Sequence, residues 1–528
     1  MKNLSAILIT GIFILLSGLQ HESALSAQTN SNVKGVVFHD TNKNGLYDPS
    51  QDKPLEGISV SNSRDVVTTD SKGFYTIPLI DNLALFVIKP KDWRTSINKN
   101  KTHSFYYMFS KQGASGKKYD GLPPTKSPPE SVNFPLYPNK EPDSLNVLVF
   151  GDTQPRDDKE IYYMAQDVLP ELINADASFG ITLGDVVFDN LSLFDHLTSS
   201  ISSIGIPWWY ILGNHDLDYS GENNTDARGA WYRTFGPSWY SFSFGPAHFI
   251  VLDDIQRIET DGRTTYRTGL GKIQMEFLRN EIERLNPDKF LVLLAHIPYE
   301  GSTDWESEAE KKSFYELLAS HPKSFTLVAH THRHYHHFID NSQGFPGKEP
   351  HHMVSVGTVC GAWWSGAPDE YGIPHTMMSD GTPNGYAFLY INNNEWKLKW
   401  KSAGKHDNYQ MHIDAPDFIN TDSTEIIKVT ANIYNALPSA EVKMRIGNEG
   451  EWISMKRNRQ KDPFRLAVME KEKQIGNFPW RKLGRATISE HIWVANPKVK
   501  LIPGEYVIEV KAHDEWWNYE GKKLLRVK

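Results

Sequence analysis

One cysteine, Cys360, stands in 528 residues, so no internal disulfide can staple this chain and its stability has to come from buried cores. A basic excess is also missing: 56 Lys and Arg face 64 Asp and Glu, a formal charge of −8. That mild acidic balance excludes a broad electrostatic surface for nucleic acid. Beyond the N-terminal leader no apolar run reaches the length of a membrane span, so the mature chain is expected to carry no transmembrane segment. No fixed-period repeat is present, which excludes solenoids and propellers.

What the chain does have is aromatic content, 12% of residues with 15 Trp and 23 Tyr, which favours folded, β-rich domains over disorder. Its length exceeds that of a single core and predicts about three domains. The N-terminus carries Lys2, an apolar run over 4–19, and the small-residue stretch Ala24-Leu25-Ser26-Ala27. Together these read as a secretory signal peptide over 1–27, with delivery to the periplasm or the outside as the expected localisation. The absence of a cysteine at the cleavage site argues against a lipid anchor there.

Residues 28–92 alternate apolar and polar side chains between turn signals, as in Gly73-Phe74-Tyr75-Thr76-Ile77, and predict a small antiparallel β-sandwich. Inside it, Asp40, Asn42, Asn44, Gly45 and Asp48 match the first nine positions of a calcium loop, with oxygen ligands at every second position. Gln51 stands where a twelfth-position Glu belongs, so a Ca²⁺ site at Asp40, Asn42, Asn44 and Asp48 and a polar Asx turn are both open readings. Residues 93–143, rich in Pro, Gly, Ser and Lys, read as a linker, with Phe105, Tyr106 and Tyr107 suggesting that part of it packs on a domain. A catalytic α/β segment is expected over 144–408, with helical stretches at 161–173 and 273–285. A second β-sandwich is expected over 409–528.

Five short motifs punctuate the catalytic segment: Gly151-Asp152-Thr153-Gln154, Gly184-Asp185, Gly213-Asn214-His215-Asp216, Ala295-His296 and His330-Thr331-His332. Four follow runs dense in apolar residues, such as Val147-Leu148-Val149-Phe150. Buried strands that end in Asp, Asn and His build a site for hard or borderline metals. Carboxylate, amide and imidazole donors suit Mn²⁺, Fe, Zn²⁺ or Mg²⁺. A bridging carboxylate holds two such cations about 3.5–4 Å apart and makes hydroxide available near neutral pH.

In this order the motifs resemble the calcineurin-like metallophosphoesterase superfamily. The flanking β-segments, Gly361-Ala362-Trp363-Trp364 and Glu490-His491-Ile492-Trp493 resemble one bacterial branch of it with N- and C-terminal β-domains. Thr69-Asp70-Ser71-Lys72-Gly73 is also similar to transthyretin-like modules. The resemblance implies a two-sheet core flanked by helices. It implies a first metal at Asp152, Gln154, Asp185 and His332, and a second at Asp185, Asn214, His296 and His330. Metal-bound hydroxide would attack a phosphate ester of a small molecule, glycan or lipid. His215 would protonate the leaving group, Asp216 would hold the other nitrogen of His215, and Asp189 would support a ligand. Gln154, where many relatives have His, is a weaker ligand and shifts the first metal toward Mn²⁺ or Mg²⁺. Two alternatives stay open: a phosphodiesterase for nucleotide, lipid or glycan diesters, and a non-catalytic envelope-binding protein. His334, His336 and His337 are read as supporting or exposed residues, Cys360 as a buried small one, and Trp363, Trp364 and Tyr371 as either a stacking face or a packing cluster.

Overall fold

Val147, Leu148, Val149 and Phe150 are all fully buried, because their strand is covered on both faces. Val147 and Val149 enter one hydrophobic core with Phe249 and Leu291. Leu148 and Phe150 enter another with Ile161, Met164 and Leu197. The period of two along a strand sends alternate side chains to opposite layers, and this run fills both. Burying each such side chain contributes about 1.5–3 kcal/mol.

A computed structural model describes residues 32–528 except 128, 302–303, 394 and 421–424. The expected signal peptide lies outside the described residues. Two sheets pack face to face in the catalytic segment. The first has the order Trp208–Tyr210, Phe179–Thr182, Ser144–Phe150, Gly385–Asn392, Glu395–Ser402. Its first three strands are parallel and the next two pairings antiparallel. The second has the order Tyr240–Phe244, Ala247–Val251, Phe290–Leu294, Ser324–Val328, His351–Ser355, Tyr335–Ile339. Helices Asp158–Asp167 and Phe194–Ile201 feed the second core, while Gly271–Arg284 and Glu308–Ser320 feed the first.

The helix expected over 161–173 starts three residues earlier, at Asp158. Asp157 caps it there by accepting from the Glu160 N–H. It stops at Asp167, and Leu169–Leu172 tighten into a 3₁₀ turn. Pro170 explains the stop: it has no N–H to donate back, and its ring clashes with the preceding turn.

The segment read as a linker contributes strands to the N-terminal β-domain. Tyr106–Phe109 pairs antiparallel with Leu83–Val87, and Phe134–Pro138 pairs parallel with Asn32–His39. Residues 93–143 therefore complete both sheets of the N-terminal β-domain. Their Pro and Gly content marks the turns between short strands. Beyond the catalytic segment, Met411–Asp414, Val429–Ile433 and Ile492–Ala495 form one sheet of the C-terminal domain. Glu441–Ile446, Gly504–His513 and Asn518–Val527 form the core of the other.

Buried histidines line both domain seams. His103 stacks on Trp209 with ring centroids 3.7 Å apart. His334 lies 2.8 Å from Asn435 Oδ1 through Nε2 and accepts the Gly357 N–H at Nδ1. His336 lies 3.1 Å from His352, and Trp516 packs against both rings. His334 and His336 are thus neither surface residues nor an extension of the metal motifs. They seat the C-terminal domain.

Candidate metal centre

Every motif sits where a core strand ends. Asp152 and Gln154 follow Ser144–Phe150, Asp185 follows Phe179–Thr182, and Asn214 follows Trp208–Tyr210. His296 follows Phe290–Leu294, and His330 and His332 follow Ser324–Val328. The chain turns sharply at these tips. Gln154, Asp185, His330 and His332 all have φ between +41° and +63°, a left-handed region that costs a non-glycine residue about 1–3 kcal/mol. Such conformations persist where the surroundings over-determine them, and here they turn four side chains inward.

The motif glycines are explained by close approach. A Cβ on Gly213 would lie 2.0 Å from the Asp185 N, and one on Gly184 would lie 2.4 Å from His296 Nδ1. Gly184 also has φ +89°. Gly184→Ala is therefore expected to destabilise the protein by about 1–3 kcal/mol and to displace His296. Chemical denaturation reads the first effect, and an unchanged midpoint would contradict it.

All seven implied ligands converge. His296 Nε2 lies 3.1 Å from Asn214 Oδ1, 3.3 Å from Asp185 Oδ1 and 3.2 Å from His330 Nδ1. Asp185, His296 and His330 form a group with ligand atoms mutually within 4.8 Å. Beside it, His332 Nε2 lies 3.1 Å from Asp152 Oδ2, and the His330 N–H donates to Asp152 Oδ1 at 3.0 Å. Gln154 joins the two halves by donating through Nε2 to Asp185 Oδ2 at 2.8 Å. Its oxygen faces Cys360 Sγ at 3.8 Å, so ligation through that oxygen requires the amide to reverse.

The donor set fits cations. His296 Nδ1 lies 2.8 Å from the Leu183 carbonyl and His332 Nδ1 lies 2.5 Å from the Gly361 carbonyl. Both Nδ1 atoms therefore carry the hydrogen, and in the neutral ring each Nε2 presents a lone pair. Those lone pairs point at Asn214, Asp185 and Asp152 oxygens, and the buried Asp152 Oδ2 accepts no hydrogen bond. Lone pairs facing anionic oxygens need a positive charge between them. Without a metal, protons fill that need. Burial pushes His296 down, but the Asp185 carboxylate outweighs it and holds the imidazole up at about 10. Asp185 is held well below the usual carboxylate range by His296 and His215, against its burial. His330 goes the other way, down to about 4, through burial and the neighbouring His296.

Around the centre the structure corrects one pairing and adds one residue. Asp216 does not touch the ring of His215. Its carboxylate accepts the N–H groups of Gly213, Val186 and Val187 at 2.9–3.0 Å and ties two ligand loops together. Asp189 holds His215 instead, Oδ1 to Nδ1 at 2.8 Å. The His215 N–H donates to Asp185 Oδ1, and its ring stacks on Phe188 at 4.3 Å. The added residue is Asp254, fully buried, which accepts from the backbone of His296 and Ile297. Burial pushes its carboxyl up to about 7. Phe249-Ile250-Val251-Leu252 before Asp253-Asp254 carries the same strand-then-carboxylate pattern as the metal motifs, and that was the signal for it.

The other sequence readings fall as follows. Trp363 stacks on His332 at 4.0 Å, and its carbonyl accepts from Arg481 of the C-terminal domain. Trp364 is buried in the helix-side core and Tyr371 is exposed. Cys360 is buried, with Sγ 3.8 Å from His332 Nδ1, and burial raises its thiol above the ordinary value. Asp40, Asn42, Asn44 and Asp48 curl into a turn in which each side chain accepts backbone N–H groups of the loop.

A cation centre at the strand ends of two packed sheets, framed by two β-domains, defines a metallophosphoesterase architecture. Residues 145–334 match the calcineurin-like phosphoesterase family, 31–120 the N terminal of calcineurin-like phosphoesterase, and 354–519 its C terminal. The chain belongs to the calcineurin-like phosphoesterases, whose chemistry is metal-dependent hydrolysis of phosphate esters. Among solved structures it is similar to an endo-beta-1,4-mannanase from Thermotoga petrophila, at 8% identity over 70% of each chain with a TM-score of 0.15. A likeness at that level carries no argument.

Proposed function

We propose that the chain is an exported, binuclear-metal phosphoesterase. The observation that carries this is the convergence of His296, His332, Asn214, Asp185 and Asp152, whose imidazole nitrogens face carboxylate and amide oxygens at 3.1–3.3 Å. Export is supported by Lys2, the apolar run and the small-residue cleavage stretch. Two divalent cations at Asp152, Gln154, Asp185 and His332 and at Asp185, Asn214, His296 and His330 would supply hydroxide near neutral pH and offset charge on the phosphoryl oxygens.

His215 is the proton donor in this reading. Asp189 occupies its Nδ1, which leaves Nε2 to hand a proton to the departing ester oxygen. Burial opposes the charged ring, but Asp185 and Asp189 outweigh it and raise its pKa, so the acid form is populated further toward neutral pH. Arg156 lies over the Phe188 ring that stacks on His215, which fixes the imidazole plane. Asp189→Asn removes one of the anions that raise this pKa. The falling limb of the pH–rate profile is expected to move to lower pH, and the rate at pH 7 to drop about tenfold or more. A limb that stays in place would separate Asp189 from this role.

The reading is tested with the mature protein stripped by chelator and reloaded with Mn²⁺, Zn²⁺, Mg²⁺ or Ca²⁺. An aryl phosphomonoester and an aryl phosphodiester are assayed side by side, with His215→Ala as a control. Metal-restored turnover that falls about 10²–10⁴-fold in the control is expected, and the ratio of the two rates assigns monoester or diester preference. Two bound metals with no turnover of either ester would reject the enzyme reading in favour of a binding protein.

A further inference from the structure

The cleft on the His215 side of the centre has a composition that the metal chemistry does not use. It encloses about 490 Å³ and is lined by Tyr119, Tyr219 and Tyr266 together with His215, Asn214 and Leu217. Three separate segments build it. Tyr119 comes from the loop between Tyr106–Phe109 and Phe134–Pro138 of the N-terminal β-domain, Tyr219 from the loop after Asp216, and Tyr266 from the hairpin strand Arg263–Thr268.

Two of the rings are rigidly mounted. The Tyr119 hydroxyl donates to the Asp189 carbonyl at 2.7 Å, and the Tyr219 hydroxyl donates to the Asn214 carbonyl at 2.9 Å. The wall between them is pinned by Asp218, which accepts the N–H groups of Lys118, Tyr119 and Ser220. The contact is close enough that a Cβ on Gly116 would fall 2.0 Å from the Asp218 carboxylate. Tyr266 forms the opposite wall, edge-on to His330 with centroids 6.1 Å apart. Its phenol is kept protonated, pushed up to about 12 by burial and then by Asp185 and Asp152.

Flat phenol faces and the Leu217 methyls favour a planar ring. Asp189 and Asp218 also line the cleft; of its cationic groups, His215 is already paired to Asp189, and Lys118 is an exposed residue whose ammonium sits over the Tyr119 ring at 4.9 Å. A second phosphate or carboxylate on the departing group would therefore meet two carboxylates and little compensating charge. We propose that this cleft is the leaving-group pocket, that it selects uncharged alcohols carrying a planar ring, such as nucleosides or phenols, and that Tyr266 supplies a stacking face. This rests on the phosphoesterase reading, because the cleft opens on the face where His215 delivers its proton.

The first test needs no turnover. Saturation-transfer NMR on the full mature chain compares adenosine and 4-nitrophenol with glycerol and glucose. Ring alcohols are expected to receive saturation and the other two not, with the signal lost in Tyr266→Ala and retained in Tyr266→Phe. The second test compares kcat/KM for 4-nitrophenyl phosphate, adenosine 5′-monophosphate and glycerol 2-phosphate. The ring-bearing esters are expected to lead, and Tyr266→Leu, which keeps apolar bulk without a flat face, to cut that lead about 3- to 10-fold. Glycerol binding as well as adenosine, or a selectivity ratio unmoved in Tyr266→Leu, overturns the proposal while leaving the phosphoesterase reading intact. If no ester is turned over, the phosphoesterase reading fails, and the proposal falls with it as a leaving-group assignment; the NMR arm then says only whether the cleft binds rings. Adenosine against 4-nitrophenol separates nucleosides from simple phenols, and glucose transferring instead would reassign the pocket to sugars.

Discussion

Asp185→Asn is expected to lower turnover about 10³-fold with every metal tested, a loss of several kcal/mol of transition-state stabilisation. The substitution is nearly isosteric, so the left-handed turn at Asp185 and the N–H that His215 donates to it survive. What goes is the one negative charge that faces both halves of the centre. Gln154 and His215 contact this carboxylate from one side and His296 approaches it from the other. A second consequence is independent of turnover. In the metal-free protein Asp185 is the largest influence holding the His296 imidazole up at about 10, and burial opposes it. Neutralising Asp185 is expected to bring His296 down, which ring-proton NMR titration reads directly. Wild-type-like turnover with two metals bound would show that Asp185 does not bridge, and an unmoved His296 would show that the two do not share a site.

On acidification of the metal-free chain from pH 6.5 to 4, its buried histidines are expected to destabilise it. The seam histidines, and His351 inside the second catalytic sheet, are neutral in the folded state. Burial brings His103 down to about 3, His334 and His351 to about 4, His352 to about 3, and His336 well below its ordinary value. In the unfolded chain each titrates near its ordinary value of about 6.5. Folded pKa values below unfolded ones mean that the unfolded state binds more protons in this window, so stability falls as pH falls. His330 adds a slope of the same sign. His296 and His332 are raised, stay protonated in the folded state throughout this window, and oppose the slope only near pH 6.5, where the unfolded rings complete their protonation. Burial raises the carboxyls of Asp254, Asp216 and Asp462 to about 7, 8 and 6, and these partly offset the loss, because their folded state binds the extra proton. Melting temperatures by circular dichroism across pH 4–7 test this, with His334→Gln expected to shallow the dependence by about one proton. A pH dependence that is the same in His334→Gln as in the wild type would sink the assignment of that ring as neutral.

The chain's own order of residues determined a good deal. Apolar runs of four that end in Asp, Asn or His located the strands and their tips, because alternation and burial are properties of neighbouring residues. The same runs placed Asp152, Asp185, Asn214, His296, His330 and His332 at one edge of two sheets, and the β-patterned flanks on either side of them. Composition was a poorer guide where short strands alternate with turns. Pro and Gly over 93–143 describe the turns and hide Tyr106–Phe109 and Phe134–Pro138, whose partners lie some 20 and 100 residues away.

Only the tertiary structure decided which side chains meet. His330, His332, His334 and His336 would share one face of a regular strand, but positive φ at His330 and His332 breaks the alternation. The first pair turns into the metal centre and the second into the seam with the C-terminal domain. Asp216 adjoins His215 in sequence, yet a tight 3₁₀ turn over Asn214–Asp216 aims it at backbone N–H groups and leaves the ring to Asp189, 26 residues earlier. The tyrosine cleft draws on positions 119, 219 and 266, and Asp254 reaches His296 across 42 residues. Local pattern sets what each strand tip can offer. Which offers converge is set by packing between distant segments, and no window of sequence contains that.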